Sequence, residues 1–355
     1  MILTTKNLVH YLIARGLVTP DSAVDGDLLI TDSSHRNRSF RVLRKNHPSY
    51  FVKQIRTWDP QSIAAWKCEA QCYCSTRSDP DFSSFATLVP QYFDHDPQRY
   101  ALTIELFSEA ENLSIYHRRL KTCPALVGKE LGSALSLYHR NSAIRLKDVT
   151  ERVPWILSLH ETSADLFSSL SGANAQLIRI VQEDKEFCQA LDAARERWKP
   201  AALIHGDIKW DNCILTKGDS GLKLIDWELA DYGDPCWDAG AVLQTYLSYW
   251  IFSMQPANGA AAAQLVESAQ QPIESMQPAL QAFWKAYTDN MDATRDTVRE
   301  WLDRSVVYAA ARLIQTAFEM MHTFPQITPH GAYLLQTSLN ILKRPGDAAR
   351  ELLGL

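Results

Sequence analysis

Two short segments of the chain each place an oxygen-bearing side chain behind an apolar run. The segment HGDIKWDN contains Asp207 and Asn212, and the segment LKLIDWE ends its apolar run at Asp226. One carboxylate can orient an attacking hydroxyl and accept its proton. A second carboxylate and an amide oxygen are ligands that Mg²⁺ accepts while it also binds phosphate oxygens. The order and spacing of these residues therefore favour phosphoryl transfer from a nucleotide.

Each segment alone has a simpler interpretation. HGD is also compatible with a turn capped by its aspartate, and DW with the polar end of a buried strand. Phosphoryl transfer further requires a cation on the phosphates and a scaffold that carries it. The two motifs gain weight together, because they follow one another at hairpin separation and a suitable β-rich region precedes them.

The first 107 residues predict a small α+β lobe. The pattern predicts an N-terminal helix that ends at Gly16, a turn at Pro20-Asp21, and a second helix with Ile63, Trp66, Ala70 and Tyr73 at helical spacing. The predicted segments are helices at 6–15 and 61–77 and strands at 27–31, 39–44, 50–55, 86–93 and 100–107.

Residues 108–355 predict a larger, mostly helical lobe. Helical spacing of apolar residues marks the segments 128–140, 153–170, 175–198 and the chain from about Pro278. Short β-like runs at 202–204, 213–216 and 222–225 interrupt this half and predict a strand, a catalytic-type loop and a hairpin. The Ala/Gln-rich segment 256–272 is interpreted as an insertion, partly helical or mobile.

Composition narrows the class of protein. A formal charge of −5 over 355 residues gives no basic bias, so neither nucleic acid nor a membrane surface is expected as a partner. The first 16 residues do not have the pattern of a signal peptide, and no apolar run reaches the length of a transmembrane helix. Seven scattered cysteines suit reduced thiols, so the expected location is cytoplasmic.

The motifs also resemble a known family. HGDIKWDN, followed by LIDWE and then GDPCWDAG, is similar to the aminoglycoside phosphotransferase and choline kinase group of the protein-kinase-like superfamily. The resemblance implies a bilobal protein-kinase-like fold, with a small β-rich N-terminal lobe (1–107, hinge at its end) and a larger helical C-terminal lobe (108–355). It also implies ATP and Mg²⁺ as cofactors.

The resemblance assigns roles to residues of the larger lobe. Asp207 matches the catalytic base, and Asn212 and Asp226 match the two Mg²⁺ ligands. His205 matches the residue that braces the catalytic loop. Asp238 matches a structural aspartate that supports this loop.

In the smaller lobe the resemblance assigns residues that bind the nucleotide. Lys53 in YFVKQI matches the phosphate-binding lysine, and Glu69 matches the helix glutamate that pairs with it. The backbone from Glu105 to Phe107 is expected at the hinge, beside an adenine. The alternative interpretation of Lys53 is an exposed lysine of a strand, and that of Glu69 is a solvated carboxylate of a helix.

Two features depart from the protein-kinase pattern. The segment between the first two strands has no glycine, whereas protein kinases cover the phosphates with a Gly-rich loop. Donors there, if it is not a plain hairpin turn, would be Ser33, Ser34, Arg36, Asn37 and Arg38. Lys209, two residues after Asp207, is either a cation near the transferred phosphate or a solvated lysine.

The acceptor is not specified by the sequence. Acidic residues after the metal aspartate either bind a cationic acceptor or cap turns, and nearby aromatic rings either line an acceptor pocket or belong to the core. These residues are Glu228, Asp231 and Asp234, and Trp210, Trp227, Tyr232 and Trp237. We expect a phosphotransferase acting on a hydroxyl of a small molecule. Alternatives are a kinase of Ser/Thr in a peptide, and a silent kinase-like protein that binds nucleotide or a partner enzyme.

Overall fold

The computed structural model describes residues 1–141, 146, 152–216, 221–255 and 262–355. The chain forms two compact units. Unit 1 consists of the described residues within Met1–Leu113, Leu146–Val149 and Asp211–Ala230, and unit 2 of those within Ser114–Arg145, Thr150–Trp210 and Asp231–Leu355. The predicted division at residue 107 stays a prediction.

The strands are short and all of their pairings are antiparallel. Unit 1 has a five-stranded sheet of order β1-β2-β3-β5-β4 and a three-stranded sheet of order β6-β8-β9, and unit 2 has the pair β10-β7. Their bounds are β1 Leu28–Asp32, β2 Arg38–Arg44, β3 Tyr50–Gln54, β4 Tyr92–Asp96, β5 Ala101–Glu105, β6 Glu111–Asn112, β7 Ala202–Ile204, β8 Cys213–Leu215, β9 Leu222–Leu224 and β10 Asp231–Gly233.

The α-helices account for most of unit 2. Those of unit 1 are α1 Leu8–Ala14, α2 Pro20–Val24, α3 Pro60–Ser78 and α4 Ser83–Ala86. The others are α5 Leu113–Leu120, α6 Ala125–His139, α7 Gly172–Glu183, α8 Lys185–Glu196, α9 Pro235–Ser253, α10 Ala262–Glu267, α11 Gln277–Asp289, α12 Arg295–Met320, α13 Pro329–Lys343 and α14 Pro345–Asp347.

The five-stranded sheet sorts its side chains by alternation. Along β3, Tyr50, Val52 and Gln54 are buried, and the first two pack with Phe40 of β2 in a core that α1 covers. The Gln54 side chain accepts a hydrogen bond from the Leu3 amide at 2.8 Å, which holds the N-terminal segment on this face. Since successive side chains of a strand point to opposite faces, Lys53 projects from the other face of the sheet.

Several sequence-based assignments in unit 1 need correction. Residues 86–93 are not a strand: α4 ends at Ala86, and β4 begins only at Tyr92. Leu88 and Val89 are buried as a strand would bury them, but Pro90 has no N–H to donate to a sheet. Residues 94–96, between the two predicted strands, belong to β4, and the predicted turn at Pro20 begins α2.

Two predicted helices of unit 2 are interrupted. The segment 153–170 forms two 3₁₀ stretches, Trp155–Glu161 and Ala164–Ser169. The segment 175–198 forms α7 and α8, because Asp184 ends one helix and its side chain caps the next by accepting from the Glu186 and Phe187 amides. At Asp184 a local side-chain hydrogen bond thus outweighs the continuous apolar pattern.

Part of the predicted insertion 256–272 lies outside the described residues, and the rest contains α10. Among the described residues, none of the helices has the length and apolarity needed to cross a membrane.

Helix α6 approaches α11 at two glycines. A Cβ on Gly132 would lie 2.2 Å from the Phe283 carbonyl oxygen, and one on Gly128 would lie 2.0 Å from that of Ala279. The backbones of the two helices are therefore in contact, and only glycine permits so close an approach. The same helix carries Tyr138 and His139, which contact Asp238, a residue that supports the catalytic-type loop described below, so this packing positions them.

Gly132→Ala is expected to lower the free energy of unfolding by about 1–3 kcal/mol, because the added methyl group must push two helix backbones apart. Chemical denaturation of the purified variant measures this loss. The matched control is Lys129→Ala, an exposed position of the same helix, which should leave stability nearly unchanged. Equal stability of the two variants would contradict the close approach.

Candidate active site

Lys53 lies at the centre of a cluster of three carboxylates in unit 1. Its Nζ is 2.7 Å from Glu69 Oε2, 2.6 Å from Asp226 Oδ1 and 3.1 Å from Glu228 Oε2. The lysine side chain is only 12% exposed, so these contacts replace most of its hydration. The structure thus brings together three of the predicted residues and adds Glu228.

Helix α3 delivers Glu69 to this cluster. Its first turn is fixed by Asp59, whose side chain accepts the Ser62 amide at 2.9 Å, and by Pro60 at the first helical position. Trp66, Ala70 and Tyr73 are buried, as the helical spacing predicts. The face that carries them also carries Glu69, which is buried with Lys53.

The segment after β9 delivers the other two carboxylates. Asp226 adopts a left-handed backbone conformation with φ 66°, uncommon for a residue with a Cβ. Trp227 is buried with its ring centroid 4.6 Å from that of Phe85, and its indole N–H donates to the Leu224 carbonyl. This sharp turn and its buried tryptophan direct the flanking Asp226 and Glu228 toward Lys53.

The cluster carries more negative than positive charge. Burial alone would lower the pKa of Lys53, but the charges of the three carboxylates outweigh it and hold that pKa above its ordinary value. Burial raises the pKa of Glu69 to about 7, helped by the charges of Asp226 and Glu228 and opposed by Lys53. A further cation would therefore be stabilised here.

The chemistry of the donor set fits Mg²⁺. Oxygens of Glu69, Asp226 and Glu228 all lie within 4.8 Å of one another. Hard oxygen ligands and surplus negative charge are what this ion requires. The predicted ligand Asn212 is buried, and its carbonyl accepts a hydrogen bond from the Ile225 amide at 3.0 Å, which holds it beside the residue before Asp226.

The HGD segment of unit 2 forms a tightly bonded turn. Gly206 has φ 80°, a conformation that glycine adopts without strain. The Asp207 amide donates to His205 Nδ1 at 3.2 Å, so the predicted bracing histidine contacts the backbone of the residue it was expected to support. At the side chain of Asp207, Lys209 Nζ lies 2.5 Å from Oδ2 and Arg312 Nη2 lies 3.6 Å from Oδ1.

Asp238, near the start of α9, holds this turn from inside the core. Its carboxylate accepts the His205 amide at 2.6 Å and the Gly206 amide at 3.0 Å. It also accepts the Tyr138 hydroxyl at 2.7 Å and lies 3.3 Å from His139 Nε2. Although complete burial raises its pKa, the hydrogen bond and charge of His139 and the interactions with His205 hold that pKa below its ordinary value.

The glycine-free loop between β1 and β2 is bonded within itself. The Ser33 and Ser34 hydroxyls both donate to the Ser39 carbonyl, and the Ser39 amide donates to Ser34 Oγ at 3.0 Å. Arg36 extends from this loop to Glu228, with Nη1 3.0 Å from Oε1. Its guanidinium is therefore attached to the carboxylate cluster rather than free in a plain turn.

The predicted hinge follows β5. The Glu105 amide donates to the Gln91 carbonyl and the Leu106 amide to that of Ser49. The Glu105 side chain accepts the Gln91 amide at 3.1 Å. Of the amides in 105–107, that of Phe107 makes no hydrogen bond to the part of the chain that the structure describes.

The aromatic residues beside the motifs belong mostly to the core. Trp210, Trp227 and Trp237 are buried, and the Trp237 ring already has a cation, Arg312 Cζ, at 5.0 Å from its centroid. Of the acidic residues, Asp234 caps α9 by accepting the Cys236 amide.

Two contributors were not predicted as site residues. Glu228 follows Asp226 by two residues and was interpreted only as a cap or an acceptor contact. Two carboxylates on either side of one tryptophan could have indicated that both belong to the same site. Arg312 is separated from Asp207 by more than a hundred residues, and its spacing in α12 is that of any buried helix position. Nothing in the local sequence distinguishes it.

Asp238→Asn is expected to lower the free energy of unfolding by about 3–5 kcal/mol at pH 7, because it removes a buried charge with several partners. The folded pKa lies below the unfolded value of about 3.9, so this stabilisation is present above that value and is lost as the pH falls through the folded pKa. The difference from the wild type should therefore shrink below about pH 4.

Unfolding by denaturant between pH 3 and pH 8 measures this difference. Asp289→Asn, whose side chain is 59% exposed, is the control and should differ little from the wild type at any pH. A difference for Asp238→Asn that stays constant down to pH 3 would contradict the assigned role.

Comparison with known proteins now identifies the class. Residues 32–279, more than half of the chain, match the APH family, described as "Phosphotransferase enzyme family". The comparison with curated proteins gives no match. Similar solved structures include a Plasmodium vivax ethanolamine kinase, at 13% identity and TM-score 0.55 over 95% of this chain and 89% of that chain.

A choline/ethanolamine kinase family protein from Mesorhizobium loti is similar at 14% identity and TM-score 0.54, over 98% of both chains. At these identities the likeness shows the fold, and it confirms the protein-kinase-like α+β class predicted from the sequence. Because the family match spans more than half of the chain, the protein belongs to the APH phosphotransferase enzyme family.

Proposed function

We propose that the protein transfers the γ-phosphate of ATP, with Mg²⁺, to a hydroxyl group of a small molecule. The observation that carries this proposal is the set of three carboxylates around the buried Lys53. A phosphotransferase must hold a polyanion beside acidic metal ligands, and a lysine already surrounded by such ligands serves that purpose.

Within unit 1, Lys53 would bind the α- and β-phosphates and Glu69 would hold the lysine in place. Asp226 and Asn212 would be the metal ligands, with Glu228 as a further carboxylate. When bound, Mg²⁺ neutralises charge on the phosphate oxygens and orients them. The surplus negative charge of the cluster supports this assignment, since Arg36 and Lys53 together do not balance three carboxylates.

Adenine would lie against the backbone of Glu105 to Phe107, where the Phe107 amide is available as a donor. The nucleotide would be ATP by family resemblance. Arg36, in the loop that lacks glycine, would offer a positive charge to the phosphates, because its guanidinium already lies beside Glu228.

Within unit 2, Asp207 would orient the acceptor hydroxyl and accept its proton. Its carboxylate is fixed by Lys209 and its amide donates to His205, while Asp238 accepts the amides of the two preceding residues. Lys209 would also neutralise charge that builds on the transferred phosphoryl group. The acceptor is proposed to be a small molecule, because the ethanolamine kinase and the choline/ethanolamine kinase family protein that share the fold are named for such acceptors.

Incubation with Mg-ATP and an acceptor panel tests the proposal. The panel contains choline, ethanolamine, an aminoglycoside, a macrolide and a serine-containing peptide, with ADP and the phosphorylated product measured. The wild type is expected to phosphorylate a small molecule, and Asp207→Asn to lower kcat by about 10²–10⁴-fold because it cannot accept the proton.

Asp211→Asn is the control, an exposed carboxylate of the same segment whose loss should leave kcat nearly unchanged. Phosphorylation of the peptide alone would contradict the small-molecule acceptor. Full activity of Asp207→Asn would contradict the base, and nucleotide binding without product on any acceptor would favour a silent binding protein.

A further inference from the structure

A buried arginine of helix α12 contacts the segment that carries Asp207. Arg312 is 4% exposed and lies beyond residue 279, where the family match ends. Its guanidinium Nη1 donates to the Gly206 carbonyl at 3.2 Å and Nη2 donates to the Ile208 carbonyl at 3.4 Å. Nη2 is also 3.6 Å from Asp207 Oδ1. One side chain thus contacts Asp207 and both of its neighbours.

Trp237 completes this contact. Arg312 Cζ lies 5.0 Å from the centroid of the indole ring, and the indole N–H donates to the same Gly206 carbonyl at 3.2 Å. The planar guanidinium can stack on the ring while its fork reaches two carbonyls, which a lysine ammonium cannot do. The Gly206 carbonyl, with two donors, is held in one orientation.

A buried charge requires compensation, and here the compensation is supplied by the catalytic-type segment. An unpaired guanidinium in the core is strongly unfavourable. The contacts to Asp207, Gly206 and Ile208 therefore stabilise Arg312 only if the segment keeps the conformation that presents these oxygens. Arg312 and the segment fix one another.

From these contacts we infer that Arg312 is a positioning residue for Asp207, an inference that rests on the proposed function for its catalytic consequence. Arg312 restricts the peptide groups on both sides of Asp207 and one of its carboxylate oxygens. A displacement of about 1 Å at a catalytic group can lower the rate about 10²-fold. Loss of the guanidinium fork should therefore impair transfer without affecting nucleotide binding.

Arg304 provides a matched control on the same helix. It is equally buried, and its Nε lies 2.9 Å from Asp234 Oδ2. Asp234 accepts from the Lys199 and Cys236 amides, and none of its hydrogen-bond partners among the described residues belongs to 205–209. Arg304→Lys removes a guanidinium fork from the same helix without touching the Asp207 segment.

Hydrogen exchange followed by mass spectrometry tests the positioning directly. Arg312→Lys is expected to accelerate exchange about tenfold in the peptide that contains His205, Gly206 and Asp207, while Arg304→Lys leaves it unchanged. Thermal unfolding verifies that each variant is folded. Arg312→Gln is used where the lysine variant does not fold. Unchanged exchange, or loss of the fold in both Arg312 variants, would overturn the inference and assign Arg312 to stability alone.

A double-mutant cycle tests the catalytic consequence with the acceptor found in the panel. Arg312→Lys should lower kcat about 10–100-fold and leave the KM for ATP within about twofold. In the Asp207→Asn background it should lower kcat by less than about twofold, because it acts through the missing carboxylate. Equal losses in both backgrounds would show a general defect and overturn the inference.

The two arms separate the inference from the proposed function. A protein that transfers phosphate to no acceptor refutes the proposed function, and the exchange arm then decides the positioning by itself. Faster exchange with an unchanged kcat would show that Arg312 fixes the segment but does not position Asp207 for transfer, which also overturns the inference.

Discussion

The ion cluster of Lys53 is the interaction on which unit 1 depends. A lysine side chain that is only 12% exposed is tolerable only with compensating charge at hydrogen-bond distance from its ammonium group. Strand β3, helix α3 and the turn after β9 each contribute one or more of the charges. The apolar alternation of β3, the cap of α3 and the buried Trp227 each direct one group to the same point. Local patterns that are ordinary by themselves therefore converge on one set of charges.

Unit 2 applies the same principle to a loop. The backbone from His205 to Ile208 has few partners in sheets, so buried side chains satisfy it: Asp238 accepts two amides and Arg312 donates to two carbonyls. Each of these side chains is itself a charge that burial would disfavour without the loop. Catalytic-type geometry and the stability of the helical core are consequently linked, and the glycines between α6 and α11 contribute by placing Tyr138 and His139.

The motifs could be predicted from the sequence more completely than the helices and strands around them. Asp207, Asn212 and Asp226 could be proposed from the sequence because their types and spacing match a chemical requirement, and the family resemblance added Lys53 and Glu69. Alternation and helical spacing predicted β3 and α3 well. The predicted bounds of 86–93 and 175–198 were wrong for local reasons. Pro90 has no N–H to donate to a sheet, and the Asp184 side chain caps a new helix. The role of Arg312 could not be predicted, since its partners are distant in sequence and its position in α12 has the spacing of the buried residues of that helix.

The central proposal is that Asp226, one of the carboxylates around Lys53, is a ligand of the metal that accompanies the nucleotide. Calorimetric titration of ATP into the wild type and into Asp226→Asn, each with Mg²⁺ and with a chelator, measures this most directly. We expect Mg²⁺ to tighten ATP binding to the wild type at least about tenfold and the variant, still folded, to lose most of this gain. Equal dependence on Mg²⁺ in both proteins would contradict it.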